Sequence, residues 1–191
     1  TAQRAGSERV NVASVVCVCP TLERQDLVQV LVRSIQAILP DPATRPPLTI
    51  VASGRDDGTE GWCRNQGLEV VRHDEPLTFA QAVNLGAIDA FNTHPSATWL
   101  AILNNDLQLK PSFWEALQEM DALHYDIVGA KLLYPPPADA PPDVVPKIQH
   151  FGVWFTLDLY PFHVLRYQPA DHPMAQDIRP FPAVTFACVA I

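Results

Sequence analysis

The sequence lacks any apolar run near the roughly 18 residues that a membrane-spanning helix needs. Its first nine residues also lack the apolar region of a signal peptide. Basic residues are few, with 13 Lys and Arg against 21 Asp and Glu and a net charge of −8. We therefore expect no transmembrane segment and no nucleic-acid partner, whose phosphates attract basic surfaces.

Cysteine is too scattered to form a metal site by itself. None of the four cysteines, Cys17, Cys19, Cys63 and Cys188, lies at the spacing of a zinc ligand pair. Cys17 and Cys19 are two residues apart in an apolar run, so they would share one face of a strand. We expect free thiols, packed as small apolar groups in a reducing compartment. This predicts a cytoplasmic location, or one at the inner face of the membrane through a partner or a further region.

The first 125 residues alternate between strand-like and helix-like segments. The strand-like segments are apolar and rich in β-branched side chains, at residues 12–19, 48–53, 68–72 and 98–103. Helices capped by Thr21, Thr78 and Ser112 are expected to end near residues 39, 91 and 124, and a shorter helix spans residues 59–66. Such alternation predicts an α/β fold with a mainly parallel sheet flanked by helices.

The last third of the chain has a different character. Six prolines between residues 135 and 146 predict an irregular loop, with further strands at residues 126–134, 151–156 and 184–191. Four aromatic residues could belong to the core or form an apolar wall for a ligand: Trp154, Phe155, Tyr160 and Phe162. The sequence shows no repeat and no clear boundary, so we predict a single domain over residues 1–191.

Three polar residues, Asn104, Asn105 and Asp106, directly follow the apolar run at residues 100–103. If that run is a buried strand, they lie at its carboxyl end, where open α/β sheets bind their ligands. A carboxylate beside two amides supplies hard oxygen ligands, which suit Mg²⁺ or Mn²⁺ shared with a diphosphate. The alternative is a turn after the strand, because Asn and Asp are common turn formers.

A series of short motifs, in order along almost the whole chain, resembles glycosyltransferase family 2 and its bacterial rhamnosyl- and galactofuranosyl-transferase-like branch. The motifs are the strand and Pro-Thr turn at 15–21, the Asp-Gly-Thr strand end at 51–59, the Phe-Ala…Asn-x-Gly helix at 79–86, Leu-Asn-Asn-Asp at 103–106 in place of the DXD metal motif, and segments at 128–134, 148–152 and 184–191. The resemblance implies the GT-A fold, which is a Rossmann-like mixed, mainly parallel sheet flanked by helices.

The resemblance also implies a metal-dependent inverting glycosyltransferase. Its donor would be a UDP- or dTDP-sugar, its acceptor a glycan or polysaccharide, and its cofactor Mn²⁺ or Mg²⁺. Asp106 would bind the metal, and His150 is a weaker candidate for a further ligand, ahead of His163 and His172. The implied nucleotide-sugar site consists of Pro20, Thr21, Leu22, Ser53, Gly54, Arg55, Asn84, Asn104, Asn105 and Asp106.

Two departures from the family pattern keep other functions open. Ala52 stands where the family has the carboxylate that usually contacts the nucleotide base, and Asn104 stands where the DXD motif has its first carboxylate. These losses favour, as the alternative, a non-catalytic nucleotide-sugar-binding or scaffolding domain. A sugar-nucleotide pyrophosphorylase is a weaker alternative, because residues 20–24 contain no Gly-rich phosphate loop.

No motif in the sequence supplies a catalytic base. The family's base follows a later segment, so we expect a chain truncated at its carboxyl end before that segment. The acidic residues of the last part of the sequence lie in no comparable motif: Asp158, Asp171 and Asp177. We therefore expect this chain alone to bind donor and to transfer sugar slowly or not at all, because inverting transfer needs a base at the acceptor hydroxyl.

Overall fold

The computed structural model describes residues 14–123 and 126–191, with the backbone alone for residues 118–123. The chain divides into two compact units. The first extends to Ile127 and also includes Ala190 and Ile191, and the second comprises residues 128–189. The expectation of a single domain stays a prediction. Within the described residues, no helix is both long enough and apolar enough to cross a membrane.

The first unit alternates strands and helices along the chain. Its elements are β1 (Val15–Leu22), α1 (Gln25–Ile38), a 3-10 turn (Pro42–Thr44), β2 (Leu48–Ser53), α2 (Thr59–Asn65), β3 (Glu69–His73), α3 (Phe79–Thr93), β4 (Trp99–Leu103) and α4 (Pro111–Leu123). The strands are parallel, in the spatial order β3-β2-β1-β4. Leu100 and Ile191 exchange two backbone hydrogen bonds, at 2.8 and 3.0 Å, which is an antiparallel pairing. The predicted mixed, mainly parallel sheet flanked by helices is confirmed.

The apolar strands form because both faces of the sheet are covered. All six residues of β2 are buried, as are the first five of β1 and the last four of β4. Burial on two faces gives parallel strands their continuous apolar sequences. α3 comes especially close to this sheet at Gly86, where a Cβ atom would lie 2.6 Å from side-chain atoms of Val18 and Val51.

The first strand ends later than the sequence suggests. β1 extends to Leu22, so Thr21 lies in the strand and the prediction that it caps α1 is wrong. The strand continues through Pro20 because β2 pairs with β1 as far as Leu22, whereas β4 pairs with it only as far as Val18. A proline that leaves one neighbour unpaired is tolerated in a strand. Positions 12 and 13, also predicted to be strand, lie outside the described residues.

The helix caps agree with prediction at one helix and not at another. Thr78 and Gln81 form the predicted capping box at the start of α3, with side-chain and backbone bonds in both directions. α4 begins at Pro111, so Ser112 lies inside the helix and does not cap it. Proline suits the first helical position because the amide hydrogen that it lacks has no partner there. Residue 124, the predicted end of this helix, lies outside the described residues.

The second unit is built from short strands. They are β5 (Val128–Gly129), β6 (Leu132–Leu133), β7 (Ile148–His150), β8 (Val153–Phe155) and β9 (Pro161–His163), with a 3-10 turn at Pro173–Ala175 and the first two residues of β10 (Cys188–Ala190). β6 pairs with β7 and β8 with β9, both antiparallel. The aromatic side chains of this hairpin are exposed, at 49% for Trp154 and 71% for Tyr160, so they do not form a core. The role of an acceptor wall stays a prediction.

The cysteines are free and buried, as the sequence predicts. Burial raises the pKa of the Cys63 thiol to about 11 and that of Cys188 to about 12. Burial likewise raises the pKa of Cys19, far above its ordinary value. These thiols therefore stay protonated at neutral pH and act as small apolar groups.

Candidate functional site

The carboxyl ends of β1, β2 and β4 lie at one edge of the parallel sheet, and three predicted site segments lie at these ends or directly after them. These are residues 20–22, 53–55 and 104–106. Leu22 pairs with Ser53 at the ends of β1 and β2. The side-chain amide of Asn105 donates to the hydroxyl of Thr21 at 2.9 Å, which joins the end of β4 to the end of β1. The structure therefore brings these segments together at the edge where α/β sheets bind ligands.

The loop after β4 is anchored and presents one carboxylate. The Ser34 hydroxyl of α1 donates to Leu31 O at 2.7 Å and accepts from Leu109 N–H at 3.1 Å. Asn104 is half-buried, whereas Asp106 is exposed. The loop is thus held at Leu109, and the Asp106 carboxylate remains accessible to solvent and ligand. Sequence reasoning missed Ser34, although a serine among the apolar residues of a helix face is a signal that its hydroxyl has a partner.

A charged pair lies across the ends of β1 and β2. The Glu23 carboxylate accepts hydrogen bonds from the Arg55 backbone N–H at 2.9 Å and from its guanidinium at 2.8 and 3.1 Å. The bonds from the Arg55 side chain hold the pKa of the Glu23 carboxyl below its ordinary value. Ser53, also predicted for the site, is buried and donates its hydroxyl to Thr21 O at 3.2 Å. The hydroxyl of Ser53 is therefore engaged, and Glu23 adds a charge that sequence reasoning missed.

Arg72 at the end of β3 fixes the turn that carries Gly54 and Arg55. Its guanidinium donates to Gly54 O at 2.6 Å and to Ala52 O at 3.2 Å, and also to His73 O. The backbone N–H of Gly54 donates to His73 O at 3.1 Å. Gly54 follows the last residue of β2, so the bond from Arg72 gives its carbonyl group a partner where the strand ends. Nothing in the sequence signals this arrangement, because an arginine near the end of a strand is ordinarily a surface residue.

Asp57 is held in a structural role by two backbone N–H groups. One carboxylate oxygen accepts from Thr59 N–H at 3.0 Å, near the start of α2. The other accepts from Gln25 N–H at 2.9 Å, at the first residue of α1. A carboxylate is favourable at the amino-terminal end of a helix, where N–H groups lack partners. Asp57 therefore ties two helices together at the site's edge and has little freedom to bind a ligand.

Asn84 lies on α3 and not on a strand end. Its side chain is exposed, two residues before the buried Gly86 that packs on the sheet. β3 is parallel to β2, and α3 follows the carboxyl end of β3. The start of α3 therefore lies at the same edge as the other predicted residues. Its part in ligand binding stays a prediction.

The residues around Asp106 suit a divalent ion only if a bound diphosphate supplies further ligands. Among residues 14–123 and 126–191, no group of three or more His, Cys, Asp or Glu side chains could hold a metal. One exposed carboxylate is nevertheless suitable for Mg²⁺ or Mn²⁺, which commonly take most of their ligands from phosphate and water. A resident metal without nucleotide is therefore not expected, whereas a metal that arrives with a diphosphate fits these residues.

His150 belongs to the second unit, where other groups occupy its ring nitrogens. Nε2 accepts from Thr185 N–H at 3.3 Å, and Nδ1 lies 2.7 Å from Nδ1 of His163. Because Nε2 accepts, the neutral ring carries its proton on Nδ1 and donates it to His163. Burial, and then the charge of His163, lowers the pKa of His150 to about 4. A metal would have to displace one of these bonds, so the structure does not favour His150 as a ligand.

Comparison with known proteins agrees with this geometry. Residues 16–162 match the family model described as Glycosyl transferase family 2. No curated protein matches the sequence. A solved structure of the mannosyltransferase PcManGT from Pyrobaculum calidifontis, in complex with GDP-Man and Mn²⁺, is similar with a TM-score of 0.50 and 19% identity, over 62% of this chain and 36% of that one.

A second solved structure, S. aureus TarS 1–349 in complex with UDP-GlcNAc, has a TM-score of 0.50 and 17% identity. The match covers 68% of this chain and 37% of that chain. The chain therefore spans little more than a third of the length of either protein. At these identities the similarity concerns the fold.

Proposed function

Because the chain belongs to glycosyltransferase family 2, we propose that it forms the donor-binding part of a glycosyltransferase. The donor is a UDP- or dTDP-sugar, and the acceptor is a glycan. The observation that carries the proposal is the exposed Asp106 at the carboxyl end of β4, beside the bond that joins Asn105 to Thr21. That edge offers a carboxylate and anchored loops at the place where open α/β sheets bind nucleotides. A cytoplasmic location stays a prediction.

The proposed chemistry is a single displacement with inversion. The acceptor hydroxyl attacks the anomeric carbon, the bond from that carbon to the diphosphate breaks, and the hydroxyl proton passes to a base. A divalent ion, when bound, offsets the charge of the departing diphosphate. Asp106 is the residue that would hold this ion, while the Thr21–Asn105 bond fixes the position of the loop that carries it.

The nucleobase is proposed to lie against the ends of β1 and β2. Residues 20–22 and 53–55 adjoin there, since Leu22 pairs with Ser53. Asn84 on α3 is the further candidate contact. A crystal structure with UDP and Mn²⁺ tests this placement. A base beyond hydrogen-bond distance of both strand ends would contradict it.

The experiment for the metal is a measurement of nucleotide affinity in the Asp106→Asn variant. Calorimetry with UDP and dTDP should show binding weakened by at least about tenfold in Mn²⁺, because an amide is a poorer ligand than a carboxylate. In EDTA the variant and the unchanged chain should bind alike. Asp139→Asn, a change at an exposed loop position, is the control and should have no effect. Equal affinities in Mn²⁺ for the Asp106 variant and the unchanged chain would refute the assignment.

A non-catalytic nucleotide-sugar-binding domain is the second candidate. The observation in its favour is that Asp106 stands without a second carboxylate, since the motif has Asn104 at its other end. The two candidates differ in the release of UDP or dTDP from their sugars in Mn²⁺, with and without glycan acceptors. A transferase releases nucleotide faster when an acceptor is present, whereas a binding domain retains the intact donor.

A further inference from the structure

The base pocket lacks the carboxylate that its second strand would be expected to supply, and another carboxylate lies next to it. Ala52 is buried and carries only a methyl group. Glu23 follows β1, on the neighbouring strand, and its carboxylate oxygen Oε1 would lie 2.7 Å from a Cβ atom built on Gly54. A side chain at position 54 would therefore displace this carboxylate from its observed place. The end of β1 therefore supplies a charge where β2 has none.

The backbone around this carboxylate adopts conformations that suit a specific role. Glu23 has a φ of +50° and Gly54 a φ of +87°. Glycine adopts such angles readily, whereas a residue with a side chain does so uncommonly. Strained non-glycine residues are concentrated at functional sites, where the surrounding structure holds them in place. At Glu23 the holding contacts are the hydrogen bonds from Arg55.

The pair presents an acceptor and a donor side by side. Nε and Nη2 of Arg55 donate to Oε2 of Glu23, and the backbone N–H of Arg55 donates to Oε1. A carboxylate oxygen can accept more than one hydrogen bond, and a guanidinium has five N–H groups, so both partners keep capacity for a ligand. The Arg55 side chain is 89% exposed and that of Glu23 is 27% exposed, so a ligand can reach them.

We propose that Glu23 and Arg55 determine the specificity for the base, with Glu23 accepting a ring N–H and Arg55 donating to the adjacent carbonyl. This inference rests on the proposed function, because it assumes that the ends of β1 and β2 hold a nucleobase. Uracil, thymine and guanine carry an N–H beside a carbonyl on the edge that pairs in a duplex. Cytosine and adenine carry a bare ring nitrogen there, which a carboxylate repels. The substrate class is therefore a diphosphate sugar of uridine, thymidine or guanosine.

The experiment compares the affinities of UDP, dTDP, GDP and CDP for the full 191-residue chain in Mn²⁺. The unchanged chain should bind CDP at least about tenfold more weakly than UDP, which is the discrimination that one well-placed polar pair provides. Glu23→Gln should reduce the CDP-to-UDP ratio to within about threefold, because an amide can donate to the bare nitrogen of cytosine. Asp177→Asn removes the charge that faces Arg179 in another exposed ion pair, at 3.8 Å, and is the matched control that should retain the ratio.

A second variant, Arg55→Gln, keeps the test decisive if Glu23→Gln does not fold, and it should also reduce the ratio. The CDP-to-UDP ratio is the informative quantity, because a general loosening of this edge of the sheet would weaken the binding of all four nucleotides alike. An unchanged ratio in the folded variants, or no preference in the unchanged chain, would overturn the inference while the proposed function stands. Failure of the unchanged chain to bind any nucleoside diphosphate would overturn the proposed function and this inference together.

Discussion

The contact of α3 with the sheet at Gly86 predicts that even one methyl group there destabilises the protein. In Gly86→Ala the new Cβ would lie 2.6 Å from Cγ1 of Val18 and from Cγ2 of Val51. Val18 and Val51 are fully buried on β1 and β2, and the branches of valine are short and stiff. Neither methyl group can move aside without disturbing the sheet, so either α3 or the strands must shift.

The expected magnitude follows from two opposing effects. Alanine is favoured over glycine in the interior of a helix by about 1 kcal/mol. Overpacking of a buried site costs about 1–3 kcal/mol and occasionally more. Because the overlap involves two stiff side chains, we expect the upper part of that range and a net loss of about 1–2 kcal/mol. For a chain of this size that loss lowers Tm by roughly 2–8 °C.

The chain provides a matched control in Gly61 on α2. A Cβ atom there would meet nothing within 4 Å, and Gly61 has no positive φ. Gly61→Ala should therefore stabilise the protein by about 0.5–1 kcal/mol through the helix preference alone. Urea unfolding of both variants, followed by circular dichroism, shows whether each substitution raises or lowers the free energy of unfolding. Stabilisation by both substitutions would show that α3 does not approach the sheet as closely as the structure indicates.

The second unit and the edge of the sheet give two further predictions. The pKa of His150 falls from an ordinary 6.5 to about 4 in the folded chain, because burial disfavours the charged ring. The stability that the buried neutral ring allows is therefore complete above pH 6.5 and is lost as the pH falls towards 4. That shift is worth at most roughly 3 kcal/mol of unfolding free energy. Urea titrations at pH 7 and pH 4.5 should show a smaller loss in His150→Gln than in the unchanged chain, and an equal loss would contradict this account. Arg72→Gln should destabilise by about 1–2 kcal/mol, because Gly54 O loses the partner that holds its turn. Arg64→Gln should cost less than about 0.5 kcal/mol because its ion pair is exposed, and similar unfolding midpoints for these two arginine variants would refute the assigned role of Arg72.

The capping box of α3 and the strands at the centre of the sheet could be predicted from local sequence. Thr78 and Gln81 lie three residues apart before an apolar helix, and each satisfies a backbone group of the other. β2 was predicted at its observed bounds, because burial on both faces leaves a continuous apolar sequence. Local physics is sufficient in these cases, because the partners lie within one turn or the whole segment shares one environment.

The start of α1 could not be predicted, because the decisive interaction is distant. Thr21 has the chemistry of a helix cap, but β2 pairs with β1 as far as Leu22 and keeps Thr21 in the strand. The Thr21 hydroxyl then accepts a bond from Asn105, which follows it by 84 residues. Tertiary pairing thus outweighed a local preference of about 1 kcal/mol.

The sequence by itself determined the α/β class, the resemblance to the family and the loop of Asp106 at a strand end. These follow from periodicity and from residues that are close together in the chain. Only the tertiary structure decided which groups meet at the edge of the sheet. Glu23 meets Arg55 across 32 residues, and Ser34 meets the backbone of Leu109 across 75. Such pairs are fixed by strand register and helix position, which depend on the packing of the whole core, so no local pattern in the sequence specifies them.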